Sequence, residues 1–436
     1  MLIQMVYNSV KRSLRRSQVI FVDSALRSDA LRRVRAIGHA DLVIGIPTYK
    51  NAKTIANVMG VVAEGAQVHF PDARAVVVVA DGMSTDDTIQ VASHARLQRN
   101  VQRIVTSYQG IMGKGSAMRA MFEVAQQVRA SACMVVDADL RSITPDWVSR
   151  LARPILDGQV DYVTPYYSRH SHEVTINDNL AYPLTRALYG MDVRQPLGGE
   201  VALSGAIIND FLGRDVWETD VARFGIHIWM TTLAINDGWR LGQAPLGTKT
   251  HDFRDPTVGF EPKFLQVVST LFRLISIYRR KWPTSSGALP VPVYGDFVRM
   301  EPEPVPAMRQ AIREAIRKGT RRFRGAWEVV LSPENYEEAL AVIGSEGGQP
   351  FPADLWARIV YDFAVIYNKG EGDPDKVVMA LLPLYYARKV SMIQEVDGLN
   401  YAQIEDHIRR QADLFGVTKT YLAGRWNNFL PWESDL

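Results

Sequence analysis

The sequence predicts an α/β fold in which a mainly parallel, twisted sheet is covered by helices on both faces and is followed by a helical C-terminal region. From about residue 40, short apolar runs rich in valine and isoleucine alternate with helix-length segments. Such runs are typical of fully buried parallel strands. Acidic and glycine-rich loops follow the runs directly, and parallel sheets bind ligands at the carboxyl ends of their strands. The pattern is typical of a nucleotide-binding domain.

Five apolar runs are the predicted strands, and each is short and bounded by polar or turn-forming residues. They cover residues 42–46, 75–80, 101–105, 132–136 and 161–165. Polar residues collect in the loops after the first four runs, which begin at Pro47, Asp81, Tyr108 and Asp137. We therefore expect the functional site at this edge of the sheet.

Three regions are predicted along the chain. Residues 1–38 form a helical segment with interleaved arginines, residues 39–255 form the α/β domain, and residues 256–436 form a mainly helical domain. The aromatic residues of the last region stand at helical spacing, so we expect most of them in its core. Residues 283–304, with their glycine, serine and proline content, are the predicted linker or loop. The helical region can complete an acceptor pocket, mediate formation of a homodimer, or both.

The amino-acid composition limits the classes of partner that the protein is expected to bind. The chain has 436 residues, is 47% hydrophobic and carries a formal net charge of +3. A large core is therefore possible, and no general polyanion partner such as nucleic acid is expected. Basic residues cluster at 11–16, 32–35 and 317–324. Acidic lipid or nucleic acid could contact them, although a solvated helix face is the simpler interpretation.

The cysteine content and the hydropathy of the chain indicate the cellular compartment in which the protein works. Cys133 is the single cysteine and lies inside a predicted strand, so neither a disulfide framework nor a cysteine metal site is expected. No run reaches the roughly 20 apolar residues that span a bilayer. The basic N-terminus lacks an apolar region with a cleavage site. We expect a cytoplasmic protein, with peripheral membrane contact left open.

Two carboxylates, Asp137 and Asp139, stand directly after the fourth run. One residue apart at a strand end, they can share a hard divalent cation with a diphosphate. A solvated turn or a helix cap is the ordinary alternative for an isolated acidic pair. The neighbouring loops therefore matter for choosing between the two interpretations.

The loops after the second and third runs add further polar groups. Asp81 directly follows a strand, so its carboxylate can accept hydrogen bonds from a base or a ribose, while the same turn can cap the next helix. Lys114 lies between Gly113 and Gly115 at the start of a predicted helix, where a lysine can meet a phosphate or a sugar hydroxyl. The spacing is not that of a Walker A loop, and a plain glycine helix start is the alternative.

These motifs, in this order and with strand–helix spacing between them, resemble the GT-A type glycosyltransferases of the broad family-2-like group. The motifs are P-T-Y-K-N, A-D-G-M-S-T-D-D-T, G-K-G-S-A-M and D-A-D. Further on, R-Q-P-L-G-G-E-V-A-L-S-G, F-G-I-H-I-W-M-T-T and K-T-H-D-F are similar to the retaining mannosylglycerate and glucosylglycerate synthases. The resemblance covers about residues 40–255.

The resemblance implies transfer of a hexose from GDP-mannose, or from UDP- or GDP-glucose, to a small hydroxy acid such as D-glycerate, giving a compatible solute. It also implies Mg²⁺ or Mn²⁺, which prefer oxygen ligands from few protein groups and substrate phosphates. Asp139 and His251 would coordinate the ion, and Asp137 is a third candidate ligand that would also face the ribose or the sugar. The other implied donor-binding residues are Pro47, Thr48, Tyr49, Lys50, Asp81 and Lys114.

By the same resemblance, the Q-P-L-G-G-E segment lies beneath the sugar. The backbone of Leu197 would lie under the anomeric carbon, Gly198 and Gly199 would allow close approach, and Glu200 would open the next segment. No carboxylate is an obvious nucleophile. The resemblance therefore implies retention by front-face substitution, in which the departing phosphate helps to deprotonate the acceptor. A leucine-containing turn without a ligand is the alternative.

The candidate acceptor-binding residues are assigned by their position relative to the similar synthases. Arg169 is the candidate clamp for an acceptor carboxylate, because guanidinium binds carboxylate bidentately, and Glu173 and Asn177 are the neighbouring contacts. An ordinary surface arginine is the alternative. His227 stands where the relatives carry an acidic residue, and it is a catalytic candidate that can hydrogen-bond a hexose hydroxyl or the acceptor.

Two other functions stay open. A glycosyltransferase of this type can act on a polyprenyl phosphate or a glycan, and the basic N-terminal segment is compatible with the lipid acceptor. A non-catalytic protein that binds nucleotide sugars is the alternative of another class. A sugar nucleotidyltransferase has less support, because the glycine-rich, arginine-bearing opening loop is missing near Ile46.

Overall fold

The structure of the protein, a computed structural model, describes residues 24–168, 170, 173, 175–250, 259–297, 309–344 and 350–429. A seven-stranded sheet of order β3-β2-β1-β4-β7-β5-β8 forms the centre of the α/β region. Each of the five predicted runs contains a strand, which confirms the α/β fold class. The strands of the described residues are β1 (Leu42–Thr48), β2 (Ala75–Asp81), β3 (Val101–Ser107), β4 (Ala132–Val135), β5 (Tyr162–Ser168), β6 (Met191–Asp192), β7 (Val201–Ser204), β8 (Leu241–Thr248) and β9 (Leu289–Pro290).

The sheet is mainly parallel, as predicted. Strand β1 pairs in parallel with β2 and β4, β2 with β3, and β5 with β8. Strand β7 runs antiparallel between β4 and β5. The carboxyl ends of β1, β2 and β4 therefore meet at one edge, and β7 returns from that edge into the sheet. This geometry brings the loop before β7 against the loop after β4.

Helices cover both faces of the sheet because the strands are apolar on both sides. One face packs against α2, α3 and α5, and the other packs against α1, α4, α7 and α8. The first predicted segment is helical at α1, while residues 1–23 lie outside the described residues. These helices and α6 are α1 (Ser28–Ile37), α2 (Ile55–His69), α3 (Thr88–His94), α4 (Lys114–Gln127), α5 (Asp146–Leu156), α6 (Tyr182–Tyr189), α7 (Gly205–Leu212) and α8 (Ile226–Asn236).

Seven helices follow in the part of the chain that the structure describes, and they share a core with α6 and with the π-helical turn Asn177–Ala181 before it. The indole of Trp356 donates a hydrogen bond to the Asn179 carbonyl at 2.7 Å, across this boundary. Most aromatic residues of the region are buried, as expected. The boundaries of the three predicted domains stay a prediction. The seven helices are α9 (Phe260–Ile277), α10 (Arg309–Val330), α11 (Pro333–Gly344), α12 (Ala353–Lys369), α13 (Pro374–Glu395), α14 (Tyr401–Val417) and α15 (Lys419–Asn427).

The predicted linker at 283–304 is described up to residue 297, and this part contacts the sheet. Strand β9 pairs in parallel with β6. The Gln243 amide donates to the Pro292 carbonyl at 2.8 Å, and the Tyr294 amide donates to the Gln243 carbonyl at 2.8 Å. The segment is therefore a loop held beside β8. Within the described ranges, no helix is both long and apolar enough to cross a bilayer.

Candidate functional site

The loops after β1 and β2 are tied together at the predicted edge. Asp81 is fully buried, and its carboxylate accepts hydrogen bonds from the Ser84 amide at 2.8 Å and the Ser84 hydroxyl at 2.6 Å. The Ser84 hydroxyl in turn accepts a hydrogen bond from the amide of Lys50. The Asp81 carboxylate thus holds its own turn, and its contact with a base or a ribose stays a prediction.

In contrast to the buried Asp81, two side chains of the loop after β1 are exposed. Thr48 is buried, and its hydroxyl donates to the Asn51 side chain at 3.0 Å. Tyr49 is 55% exposed, and Lys50 adopts a left-handed backbone conformation with a φ of 57°. Pro47 pairs in register with Ala80 within the sheet. The loop therefore exposes an aromatic ring and a cation beside the edge where donor binding is predicted.

The glycine–lysine–glycine motif begins α4, as predicted. A Cβ atom on Gly115 would lie 1.8 Å from the Val221 carbonyl oxygen, so close packing requires glycine there. The Gly113 amide donates to the Tyr108 hydroxyl at 2.9 Å. Lys114 forms an ion pair with Asp137. The motif is both a packed helix start and the source of a cation at the site.

The loops after β4 and β8 meet in a lysine–carboxylate cluster formed by Lys114, Asp137, Glu200 and Lys249, in which Glu200 and Lys249 are buried and the other two are half-buried. The Lys249 ammonium donates to Asp137 Oδ2 at 2.8 Å and to the two Glu200 oxygens at 2.9 and 3.0 Å. It also lies 5.4 Å from the centroid of the Tyr167 ring. Two ammonium groups thus face two carboxylates at the carboxyl edge, in surroundings where charges interact strongly.

Burial and charge act in opposite directions on the two carboxylates of the cluster. Burial raises the pKa of Glu200 to about 7, and the Asp137 charge adds to this rise while Lys249 and Lys114 oppose it. For Asp137, burial also favours the neutral form, but Lys114 and Lys249 outweigh it and hold the pKa well below its ordinary value. Asp137 is therefore held in its ionised form more strongly than Glu200.

The Q-P-L-G-G-E segment lies directly against this cluster. A Cβ atom on Gly199 would lie 2.5 Å from Asp137 Oδ2, and one on Gly198 would lie 2.2 Å from the Pro165 ring. The Leu197 amide donates to Asn177 Oδ1 at 3.4 Å, while Asn177 Nδ2 donates to the Arg194 carbonyl at 3.1 Å. Asn177 therefore positions the loop, and its predicted contact with an acceptor stays untested.

Replacing Gly199 with alanine should lower kcat/KM of the proposed transfer about a hundredfold, because displacements near 1 Å at a reacting centre have effects of that size. The new methyl group would collide with the Asp137 carboxylate. Steady-state kinetics measure the effect. Gly60→Ala on α2 is the control, since a Cβ atom there meets nothing within 4 Å. Equal activity of the Gly199 variant and the wild type would contradict the predicted close approach.

His227 lies in the first turn of α8 and is buried. Neither ring nitrogen has a hydrogen-bond partner among the described residues. Burial holds the pKa of His227 well below its ordinary value, Lys114 and Lys249 add to this effect, and Asp137 opposes it. A neutral imidazole with two unpaired buried nitrogens is costly, so the ring is suited to hydrogen-bond a ligand hydroxyl.

The remaining predicted residues fall into two groups. Asp139 is half-buried just beyond Asp137, and Glu173 lines a small cavity with Arg194, Asp178 and Tyr167. Arg169 and His251 lie outside the described residues. Lys249 was not among the predicted site residues, although its position two residues before His251 was a usable signal. Nor was the cavity wall supplied by α14 predicted.

The predicted metal was tested against the residues present. Carboxylate oxygens at the end of β4 have the donor chemistry that Mg²⁺ and Mn²⁺ prefer. Within the described ranges, however, no group of three histidine, cysteine or acidic residues has the geometry of a metal site. Both Asp137 oxygens bind ammonium groups, so Asp139 together with phosphate oxygens fits the ion better. All three metal assignments stay predictions.

Comparisons with known proteins show which protein family the N-terminal part of the α/β region resembles. Residues 43–200 match the family described as "Glycosyl transferase family 2". This part of the chain is therefore similar to the family 2 glycosyltransferases, and the predicted resemblance is confirmed over these residues. No curated protein matches the chain in a search by sequence.

Solved structures of glucosyl-3-phosphoglycerate synthase from Mycobacterium tuberculosis are among the similar chains. The complex with Mn²⁺, UDP and glucosyl-3-phosphoglycerate shares 20% identity over 56% of this chain and 84% of that chain, with a TM-score of 0.42. The complex with Mn²⁺, UDP-glucose and phosphoglyceric acid shares 19% identity over 58% and 84%, also with a TM-score of 0.42.

Proposed function

We propose that this protein is a metal-dependent retaining glycosyltransferase that moves a hexose from a nucleoside diphosphate sugar to a small hydroxy acid. The observation that carries the proposal is the lysine–carboxylate cluster, which lies against Gly199 and interacts electrostatically with His227, a ring without a hydrogen-bond partner among the described residues. Two lysines at the carboxyl edge of a parallel sheet suit a diphosphate. The family 2 match covers the loops after β1 to β4 and ends at Glu200, so it does not include Lys249.

On the donor side, Lys114 and Lys249 would interact with the diphosphate oxygens, and the exposed loop after β1 would contact the nucleoside. Asp139 and His251 would hold Mg²⁺ or Mn²⁺. When bound, such an ion neutralises charge on the leaving diphosphate. The donor would be GDP-mannose, or UDP- or GDP-glucose.

On the sugar side, the Leu197 and Gly199 backbone would lie close to the hexose, and neutral His227 would hydrogen-bond one of its hydroxyls or the acceptor. Both Glu200 oxygens accept from Lys249, so this carboxylate is held away from the role of nucleophile. The acceptor oxygen would therefore bond to the anomeric carbon on the face that the phosphate leaves. Its proton would pass to the departing phosphate oxygen.

On the acceptor side, Arg169 would clamp the carboxylate of D-glycerate, with Glu173 near its hydroxyl groups. Asn177 would act through the loop that it holds, because its amide bonds the backbone on both sides of that loop. The product would be a mannosyl- or glucosylglycerate, which serves as a compatible solute. Such an acceptor needs one cationic clamp and few other contacts.

A crossed screen of donors and acceptors tests the proposal. UDP and GDP are first titrated into the protein with and without Mn²⁺, and each nucleotide sugar is then combined with glycerate, phosphoglycerate and lactate. We expect metal-dependent binding of one nucleotide and formation of an α-linked product from an α-linked donor. Asp139→Ala should lower turnover by at least about a thousandfold, since the loss removes charge stabilisation of the leaving group.

The matched control is Asp157→Ala, an exposed aspartate after α5. Full activity of the Asp139 variant would overturn its metal role. Nucleotide binding without transfer to any acceptor would favour the non-catalytic alternative. Transfer only to a polyprenyl phosphate or a glycan would support a glycosyltransferase but would overturn the small hydroxy acid as its acceptor. An inverted product would overturn the front-face mechanism.

A further inference from the structure

Helix α10 carries a strongly basic exposed face that the proposed reaction does not use. Between residues 313 and 324 the sequence has six cationic side chains and one carboxylate, that of Glu314. All six cationic residues are exposed. This basic face consists of Arg313, Arg317, Lys318, Arg321, Arg322 and Arg324.

The opposite side of α10 is fixed in the core. Ile312, Trp327 and Val330 are buried, and the Trp327 indole donates to the Ala380 carbonyl at 2.7 Å. A Cβ atom on Gly319 would lie 2.2 Å from the Pro383 ring of α13, so the two helices are in close contact. Because these apolar side chains are already packed in the core, they are not available for insertion into a bilayer, whereas the basic face is exposed to solvent.

The cations of the basic face lack carboxylate partners among the described residues. No ion pair joins any of the six to a carboxylate in the part of the chain that the structure describes. The Arg324 guanidinium donates to the Tyr336 hydroxyl at 3.3 Å, and Glu328 and Glu337 lie near that end of the face. Like charges at a spacing of four residues repel each other on a helix. An array of anions would relieve this repulsion.

We propose that the basic face of α10 docks the protein on an anionic lipid bilayer. Arg313, Arg317 and Arg321 follow each other at four-residue spacing, so they lie along one side of the helix, which extends roughly 16 Å between residues 313 and 324 at 1.5 Å per residue. A straight row of long cationic side chains matches a flat layer of lipid phosphates, which their flexible stems can reach.

The same face is poorly suited to single-stranded nucleic acid. Binding there relies on exposed aromatic rings that stack with bases. In α10, Trp327 is buried and Phe323 is half-buried, with the Arg322 guanidinium 4.8 Å from the centroid of its ring. The contact with lipid would therefore be electrostatic and superficial, and high salt should weaken it.

Sedimentation with vesicles tests the proposal on the full-length protein. The vesicles contain phosphatidylcholine alone, or phosphatidylcholine with about one third phosphatidylglycerol. We expect binding to the anionic vesicles only, with loss of binding at high salt. Arg313→Glu/Arg317→Glu/Arg321→Glu should lower the partition coefficient at least about tenfold, because each basic residue near an anionic surface contributes to the attraction. The corresponding glutamine variant should give a smaller loss.

Arg32→Glu/Arg33→Glu/Arg35→Glu is the matched control, since these exposed arginines of α1 undergo the same change of charge elsewhere on the surface. The control should retain most of the binding. Thermal unfolding checks that both triple variants are folded. Equal losses in the two triple variants would overturn the assignment to α10. Absence of vesicle binding by the wild type, or binding of an RNA oligonucleotide instead, would overturn the proposal that the partner of α10 is a lipid bilayer.

Discussion

Replacing Lys249 with methionine should lower the rate of the proposed transfer by about a hundredfold to a thousandfold, the size of effect seen when one preorganised donor is removed from a reaction centre. The Lys249 ammonium binds Asp137 and both oxygens of Glu200. Without it, Lys114 would be the one ammonium left beside the Asp137 carboxylate among the described residues. The site would also lose one of the two cations proposed to meet the diphosphate.

Methionine is the informative replacement because it keeps much of the lysine stem beside the Tyr167 ring. Removal of the cation should also raise the pKa of Glu200 further, since burial already raises it to about 7 and Lys249 opposes that rise. Glu200 would then be neutral over a wider range of pH, which limits the cost to folding. We therefore expect a large loss in kcat with a modest change in unfolding free energy.

Kinetics at saturating metal and chemical denaturation measure the two effects separately. Lys249→Arg is the companion variant, which keeps the positive charge but replaces a compact ammonium by a planar guanidinium. It should recover part of the activity. Wild-type kcat in the methionine variant would contradict a role of Lys249 at the reaction centre. Loss of folding in both variants would instead assign Lys249 a structural role.

Much of the sheet could be predicted because strands buried on both faces are continuous apolar runs. Strand β2 reads A-V-V-V-V-A-D and is buried throughout, so its pattern is unambiguous. Strand β8 reads L-G-Q-A-P-L-G-T and is also buried throughout, yet it contains two glycines, a proline and a glutamine. Its burial comes from the elements packed on it and not from its own hydropathy. Lys249, at the end of β8, was missed for that reason.

Parts of the candidate site could be predicted for a related reason. Asp137 and Lys114 stand where a strand ends and where a helix begins, and local sequence marks both positions. The environment of Asn177 could not be predicted in this way, because its amide bonds backbone groups about twenty residues further along the chain. That His227 has no hydrogen-bond partner within the described ranges depends on how α8 packs. Such contacts follow from tertiary structure, which no short motif encodes.

A buried ion pair between the α/β region and α14 could not be predicted from the sequence either. Arg194 binds Glu405 bidentately at 2.8 and 2.9 Å, although the two residues are 211 positions apart. Arg194 also donates to Asp178 at 3.0 Å, and the Tyr166 hydroxyl donates to Glu405 at 3.0 Å. Burial opposes the charge of Arg194, but Glu405 and Asp178 outweigh it and hold its pKa above the ordinary value.

Glu405→Ala should therefore lower the unfolding free energy by about 3–5 kcal/mol, because removing one partner leaves a buried charge without compensation. Asp406→Ala is the matched control. Asp406 is the next residue of the same helix and pairs with Arg410 on the surface, where both side chains are more than 60% exposed. Breaking such an exposed pair should cost less than about 1 kcal/mol. Urea denaturation measures both variants.

The double variant Arg194→Met/Glu405→Leu decides what the ion pair contributes. Apolar residues of similar volume often replace a buried pair with little loss, because neither charge then needs to be desolvated. We expect the double variant to recover most of the stability that Glu405→Ala loses. The pair would then serve to fix the position of α14 beside the predicted acceptor segment. A double variant as unstable as the single one would contradict this expectation and would mean that the network stabilises the fold itself.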